Sequence, residues 1–305
     1  MNANPVSLGP AGARLAGSRV RRLVSLVAIA ALSGCASFSP DGGFGVVEQA
    51  ARERLGKAVH WTRSPADLDS IDRRVGELLA GPLSVDDAVQ VALLNNRGLQ
   101  AVFQELGITE AQVVQAGRLP NPGFSFSRLR RDDEVERERG LHVNLARLLV
   151  MPIIGALEAR RFEQVKGQVV LNMLTLAADT RKAHVQAVAA EEMVRYMRQV
   201  QQAAQASAEL ARRMSQVGNF NKLQRAREQS FHADAMLGLA RAEQSQRATR
   251  ERLTRLLGLW GAQAQFSLPE RLSDLPAQLA DRPDIEQVAL AQRLDVQDAR
   301  LLGEQ

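Results

Sequence analysis

Cys35 is the residue whose setting points most directly to a covalent reaction. It is the only cysteine of the 305-residue chain, and it closes the run Leu32-Ser33-Gly34-Cys35 after Arg19–Arg22 and the apolar stretch Leu23–Leu32. Basic residues, about ten apolar ones and a small-residue cleavage site make a secretory signal, because an apolar run this short cannot span a bilayer. Leu-Ser-Gly-Cys looks like a bacterial lipobox, in which the cysteine becomes the acylated (palmitate-bearing) first residue of the mature protein. A single cysteine also excludes an internal disulfide. The basic region starts late, which points to a start codon downstream of Met1. Residue 36 is Ala rather than Asp, and by the sorting habit of such lipoproteins this favours the outer membrane.

No other residues suggest catalysis. The histidines His60, His142, His184 and His232 lie far apart, without carboxylate or cysteine neighbours at metal-ligand spacing. A Gly-rich phosphate loop and a nucleophile elbow are both missing from the sequence. Met193, Met197, Met214 and Met236 could relay a soft metal, but methionine on a helical seam is far more often packing. The expectation is a protein that is not an enzyme, with no cofactor and no bound metal. The net charge of +5 comes from arginines interleaved with acids, and no basic stripe carries aromatic stacking platforms, so nucleic acid is not an expected partner.

These residues need elements to hold them. After the signal, 1–34, about 270 residues remain, enough for one large domain or two modest ones. Aromatics are only 4% of the chain, which suits long helices meeting along narrow Ala/Leu/Val seams. Residues 35–82 read as a lipidated, mostly extended tether with a helical piece near Ile71–Leu79. Ser84 caps a helix over 84–117, with Asp86 and Asp87 in its first turn, interrupted at Asn95-Asn96-Arg97-Gly98. Leu119-Pro120-Asn121-Pro122 stops it.

The period then changes. Phe124-Ser125-Phe126-Ser127 and Leu141-His142-Val143-Asn144-Leu145 alternate apolar with polar. They predict a β-hairpin over 123–148, with the charged run 128–139 as a solvated connection. One open reading is a small soluble sheet. The other is a slice of a membrane barrel, with Phe124, Phe126, Leu141, Val143 and Leu145 toward lipid and Ser125, Ser127, His142 and Asn144 toward a wet lumen.

Past Pro152 a long helix is expected over 155–217, roughly 90 Å at 1.5 Å per residue. Met193, Met197, Val200, Ala204, Ser207, Ala211 and Met214 form its coiled-coil stripe, flanked by Tyr196, Ala203 and Leu210. Helix breakers at 218–221 turn the chain, and a return helix over 222–257 ends at Gly258.

These parts, in this order, resemble the TolC-type outer-membrane efflux channel family, in its lipoprotein branch. Leu83-Ser84-Val85-Asp86-Asp87-Ala88 with Ala92-Leu93 and Asn96 looks like the family's opening helix. Leu119-Pro120-Asn121-Pro122 is similar to its approach to the barrel. Pro152 with Ala156-Leu157-Glu158-Ala159-Arg160 resembles its return to the long helix, and Val217-Gly218-Asn219 with Leu223 and Ala226 its periplasmic tip turn. Leu256-Leu257-Gly258 resembles the end of the return helix. Asp281-Arg282-Pro283-Asp284-Ile285 resembles the start of a second repeat. A weak echo at 186 positions pairs Leu99 with Ile285, Val102 with Val288, Ile108 with Leu294 and Gly117 with Gly303.

The resemblance implies a mainly α fold: long antiparallel coiled-coil helices of an α-barrel, plus one β-hairpin belonging to a trimeric outer-membrane β-barrel. It implies a first repeat over 83–280 and a second beginning at 281–305. For the full-length family it implies a homotrimer in outer-membrane lipid, and for this chain a lipid anchor at Cys35 and a helical extension into the periplasm. The partners are a periplasmic adaptor protein, met by the tip residues Val217, Gly218, Asn219 and Phe220, and an inner-membrane efflux transporter. The function implied is a passive conduit exporting small molecules or metal ions. A chain stopping in the second repeat is expected to be truncated, since six strands from three copies would leave sheet edges open in lipid. A periplasmic coiled-coil lipoprotein with an adaptor or structural role stays open beside it.

Overall fold

A break in one helix caps the end of another, and this contact organises the fold. The structure, a computed structural model, describes residues 37–131, 134–275, 277 and 283–303. The signal segment, Cys35 and the pair Asp281-Arg282 lie outside the described residues. The chain divides into two compact units. One joins the described residues up to Ser39 with Glu110–Arg160, and the other joins Pro40–Thr109 with Arg161–Gln305.

In the second unit the expected extended tether is instead folded. Helix α1 (Gly45–Ala50) runs into a π-helical turn at Ala51–Leu55, and α2 covers Pro65–Leu78. The start of α2 is set locally. Ser64 Oγ accepts from the Asp67 N–H at 3.3 Å, Asp67 Oδ2 accepts from the Ser64 N–H at 2.8 Å, and Pro65 stands where its missing N–H is not needed. The rest is tertiary. Phe44 meets Trp61 at 5.7 Å and Phe103 at 4.9 Å between ring centroids, with Val47 and Ala51 fully buried nearby in sequence. Three rings so far apart in sequence leave no periodic signal, so the order they impose was not legible.

The single helix expected over 84–117 is two, α3 (Val85–Asn95) and α4 (Arg97–Ala116). Asn96 leaves the helical region at φ −69°, ψ 111°, and its Oδ1 accepts the Leu99 N–H at 2.9 Å, capping α4. Its Nδ2 donates to the Leu256 carbonyl at 2.9 Å. Asn95 Nδ2 donates to the carbonyls of Leu257 and Gly258 at 3.1 and 2.9 Å. Those carbonyls belong to the end of α6 (Lys222–Leu257), where intrahelical donors run out.

Around this clamp lies a buried apolar core. Ile71 and Val75 of α2, Ala88, Val91 and Ala92 of α3, and Leu253 and Leu257 of α6 are buried together. Ala183, Ala187 and Val188 of α5 (Leu145–Gln216) join them, with Phe266 and Leu268 from the segment after α6. The Leu83 backbone is held at both ends. Its N–H donates to the Ser267 carbonyl at 2.9 Å, and its carbonyl accepts from His184 Nε2 at 2.7 Å, which fixes the proton on that nitrogen. Arg250 ties the trailing segment down through the Phe266 carbonyl and stacks over the Phe266 ring at 4.4 Å.

Beyond this core α5 and α6 form the expected helical hairpin. Ala204, Ala211, Ala235 and Ala242 are buried along it, and Ser207 Oγ donates to Glu228 Oε2 at 2.6 Å across it. Val194 is buried where the stripe was expected to begin at Met193, which is exposed. In the first unit, strands β1 (Gly123–Arg131) and β2 (Glu134–His142) pair antiparallel. Helix α5 starts at Leu145, ten residues before the expected 155, because Asn144 caps it: its Oδ1 accepts the Arg147 N–H at 3.0 Å. Pro152 lies inside the helix, where it removes one bond without ending it. Near the C-terminus α7 (Ile285–Gln292) and α8 (Leu294–Gly303) complete the described elements, with Ile285, Val288 and Leu290 exposed.

Two glycines provide a test. Gly258 has φ 69°, and a Cβ there would stand 2.5 Å from the Asn95 carbonyl oxygen, whereas Gly218 has φ 82° in open space. Gly258→Ala is expected to cost about 3 kcal/mol or more and Gly218→Ala about 1 kcal/mol, read from urea unfolding followed by circular dichroism. Equal costs would contradict the close approach.

A second test is acid unfolding. The Asp67 carboxyl is held at about 2, below its usual 3.8, first by the Arg63 N–H and then by Ser64. The folded chain binds the charged form, so this stabilisation is complete above the usual value and fades as pH falls toward 2. Asp67→Asn is expected to flatten the stability curve in that window and leave its shape near neutral pH unchanged.

Candidate membrane hairpin and docking turn

The β-hairpin is built from nine-residue strands whose register sets two faces. Phe124 stands opposite Leu141, Phe126 opposite Arg139, Arg128 opposite Arg137 and Arg130 opposite Val135. The other face carries Ser125, Ser127, Leu129, Glu136, Glu138 and His142, and Ser125 Oγ lies 3.1 Å from His142 Nε2. At the base of the hairpin Phe124, Phe126 and Leu141 thus share one face, and Ser125, Ser127 and His142 the other. Phe124 and Leu141 are 73% and 71% exposed.

The hairpin differs from its reading in two respects. The run 128–139 is not a connection: both strands continue through it, leaving only residues 132 and 133 between them. Ladder bonds join backbone groups, so charged side chains pointing into water do not stop a strand. Val143 and Leu145 are not on the ladder. Val143 follows β2, and Leu145 opens α5 because the Asn144 cap ends the strand first. Further exposed apolar residues stand on α5 at a spacing the alternation could not reveal. Leu145, Leu149, Ile153 and Leu157, each four residues apart, are all exposed.

The same unit holds a buried acid the sequence did not single out. Glu110 accepts from the Ser39 N–H at 2.6 Å, and the Ser39 hydroxyl bonds the same carboxylate oxygen. It fixes the chain four residues past Cys35. A cleft of about 690 Å³ lies in this unit, lined by Phe38, Val114, Arg118, Leu119, Asn144 and Arg147 among others.

The turn at 217–221 is closed by backbone geometry. The Gly218 N–H donates to the Ser215 carbonyl at 3.3 Å and the Asn219 N–H to the Met214 carbonyl at 2.9 Å, with Gly218 at positive φ. Asn221 then starts α6 with a reciprocal cap to Gln224. Val217 is 70% exposed, Gly218 and Asn219 are exposed, and Phe220 is half-buried. Leu223, named with the tip turn but not among the expected docking residues, is also exposed. Its place in the first turn of a capped helix was the available signal.

Among the described residues no His, Cys, Asp and Glu side chains gather as a metal site. The methionines are scattered: Met193 and Met236 are exposed, and Met197 lies against Gly238. No helix among the described residues is long and apolar enough to cross a membrane.

No protein-family model matches this chain, and no curated protein matches it either. Solved structures do. A membrane protein from Pseudomonas aeruginosa aligns with a TM-score of 0.59 at 17% identity, over 71% of this chain and 54% of its own. CusC, described for conformational changes accompanying folding and transmembrane channel formation, aligns with 0.56 at 19%, over 71% and 53%. The Campylobacter jejuni CmeC outer membrane channel aligns with 0.55 at 17%, over 81% and 56%. The chain spans about half the length of these structures and shares their fold over that part: long helices with one antiparallel hairpin, as in TolC-type channels.

Proposed function

We propose that this chain is an outer-membrane channel component of a tripartite efflux system, a passive conduit for small molecules or metal ions. The observation that carries the reading is the pair Phe124 and Leu141, opposite each other on the ladder and largely exposed. A two-stranded ribbon is marginal in water, and it gains a purpose when neighbouring copies and lipid cover it. Tyr196, Ala203, Leu210 and Val217 support the assembly. They are exposed at seven-residue spacing, a stripe suited to a neighbouring helix in a homotrimer.

In this reading Cys35 carries the lipid anchor, Phe124, Phe126 and Leu141 face lipid, and Val143 and Leu145 flank them at the membrane surface. Val217, Gly218, Asn219 and Phe220 meet a periplasmic adaptor, which joins the channel to an inner-membrane transporter. No bond is made or broken. Energy comes from the transporter, and the channel contributes geometry.

A second reading, a lipid-anchored periplasmic coiled-coil protein, is favoured by Arg128 opposite Arg137 on the same face as Phe124. An arginine at the midplane of a barrel's lipid face costs about 2–4 kcal/mol. Membrane fractionation of Cys35→Ala separates the two. An integral channel component still requires detergent for extraction, as expected here; release by high salt or carbonate alone would overturn the channel reading.

A further inference from the structure

Four of the hairpin's arginines share one face. Arg128, Arg130, Arg137 and Arg139 all project from the face that carries Phe124, Phe126 and Leu141, and all four are exposed. Glu136 and Glu138 project from the other face. Among the described residues no ion pair joins the four arginines to a carboxylate. Arg128 and Arg137 are directly opposed, an arrangement that destabilises a ladder unless an anion lies between them. The acidic face avoids the same problem: Glu138 faces Ser127 and Glu136 faces Leu129. The face thus grades from apolar at the base to cationic toward the connection at 132–133.

We propose that this arginine row binds the phosphate groups of anionic lipid headgroups, while Phe124 and Leu141 enter the hydrocarbon beneath it and Phe126, level with Arg139, lies at the boundary. The proposal rests on the membrane reading above. Three cross-strand tiers carry the arginines, about 13 Å along the strands, which is about 10 Å of depth at a tilt near 40°. That depth matches a headgroup layer plus the reach of an arginine side chain. The guanidinium fork bonds phosphate oxygens in pairs and is held flat by them, which suits two opposed arginines sharing one anion. The penalty for arginine on a lipid face falls to about 0–1 kcal/mol near the interface, so the same residues that oppose insertion at the midplane are tolerated there.

The test is vesicle flotation of the full chain carrying Cys35→Ser, so that no acyl group contributes. Phosphatidylcholine vesicles are compared with equimolar phosphatidylcholine–phosphatidylglycerol vesicles at low salt. The chain is expected to prefer the anionic vesicles by about a hundredfold or more, and added salt should erase the preference. Arg128→Gln with Arg137→Gln should lower anionic binding about 25-fold, about fivefold per arginine, and leave phosphatidylcholine binding unchanged. Phe124→Ser with Phe126→Ser should lower binding to both. Circular dichroism confirms that the helices of each variant are intact. Anionic binding unchanged in the arginine variant overturns the proposal and leaves the membrane reading standing. Arginine-dependent self-association without lipid also overturns it, assigning the row to the acidic face of a second copy. Failure of the starting chain to float with either vesicle overturns both.

Discussion

The carbonyls at the end of a helix must find donors, and in this chain two asparagine amides supply them from 160 residues away. Asn95 and Asn96 reach the carbonyls of Leu256, Leu257 and Gly258, and Asn96 simultaneously caps α4. One short segment therefore ends α3, starts α4 and finishes α6. Leaving such groups buried and unpaired costs about 1–3 kcal/mol each, so the break between α3 and α4 is fixed by the helix it serves. Gly258 completes the fit, because the backbone of Asn95 occupies the space a side chain would need. Leucines, valines and phenylalanine then pack around the joint and fix the base of the α5–α6 hairpin.

Away from that joint the hairpin is held by little. Its buried residues are mostly alanines, each contributing about one methyl group of burial, roughly 0.8 kcal/mol. That is enough to set the pairing of two helices and not enough to make them indifferent to neighbours. The exposed stripe through Tyr196, Leu210 and Val217 has the same character as the exposed face of the β-hairpin. Both leave apolar surface uncovered in an orderly row, which the proposed side-by-side assembly of copies would cover.

Legibility in the sequence followed the range of the interaction. The turn at 218–221 and the limits of α6 were readable because Gly218, Asn221 and Gly258 act on backbone within a few residues. The presence of the β-hairpin was readable from alternation at Phe124–Ser127, but its length was not. Through 128–139 the ladder persists without apolar alternation, and only the backbone register reveals that the arginines share a face with the phenylalanines. The folding of 44–78 was hidden because Phe44, Trp61 and Phe103 act on one another across distant positions. Asn95-Asn96 was legible as an interruption; its purpose was not, since the partner carbonyls carry no side-chain signature. Glu110 escaped for the same reason, its partner being the backbone and hydroxyl of Ser39.

The joint is tested most directly by native-state hydrogen exchange of Asn96→Ala against the starting chain. If the asparagine clamp holds the base together, amides of α3, of α5 near 183–188 and of the last turns of α6 lose protection in concert, while those flanking Gly218 keep theirs. Loss confined to residues 96–99, or an equal loss at the Gly218 turn, would contradict the claim that this contact unites the base.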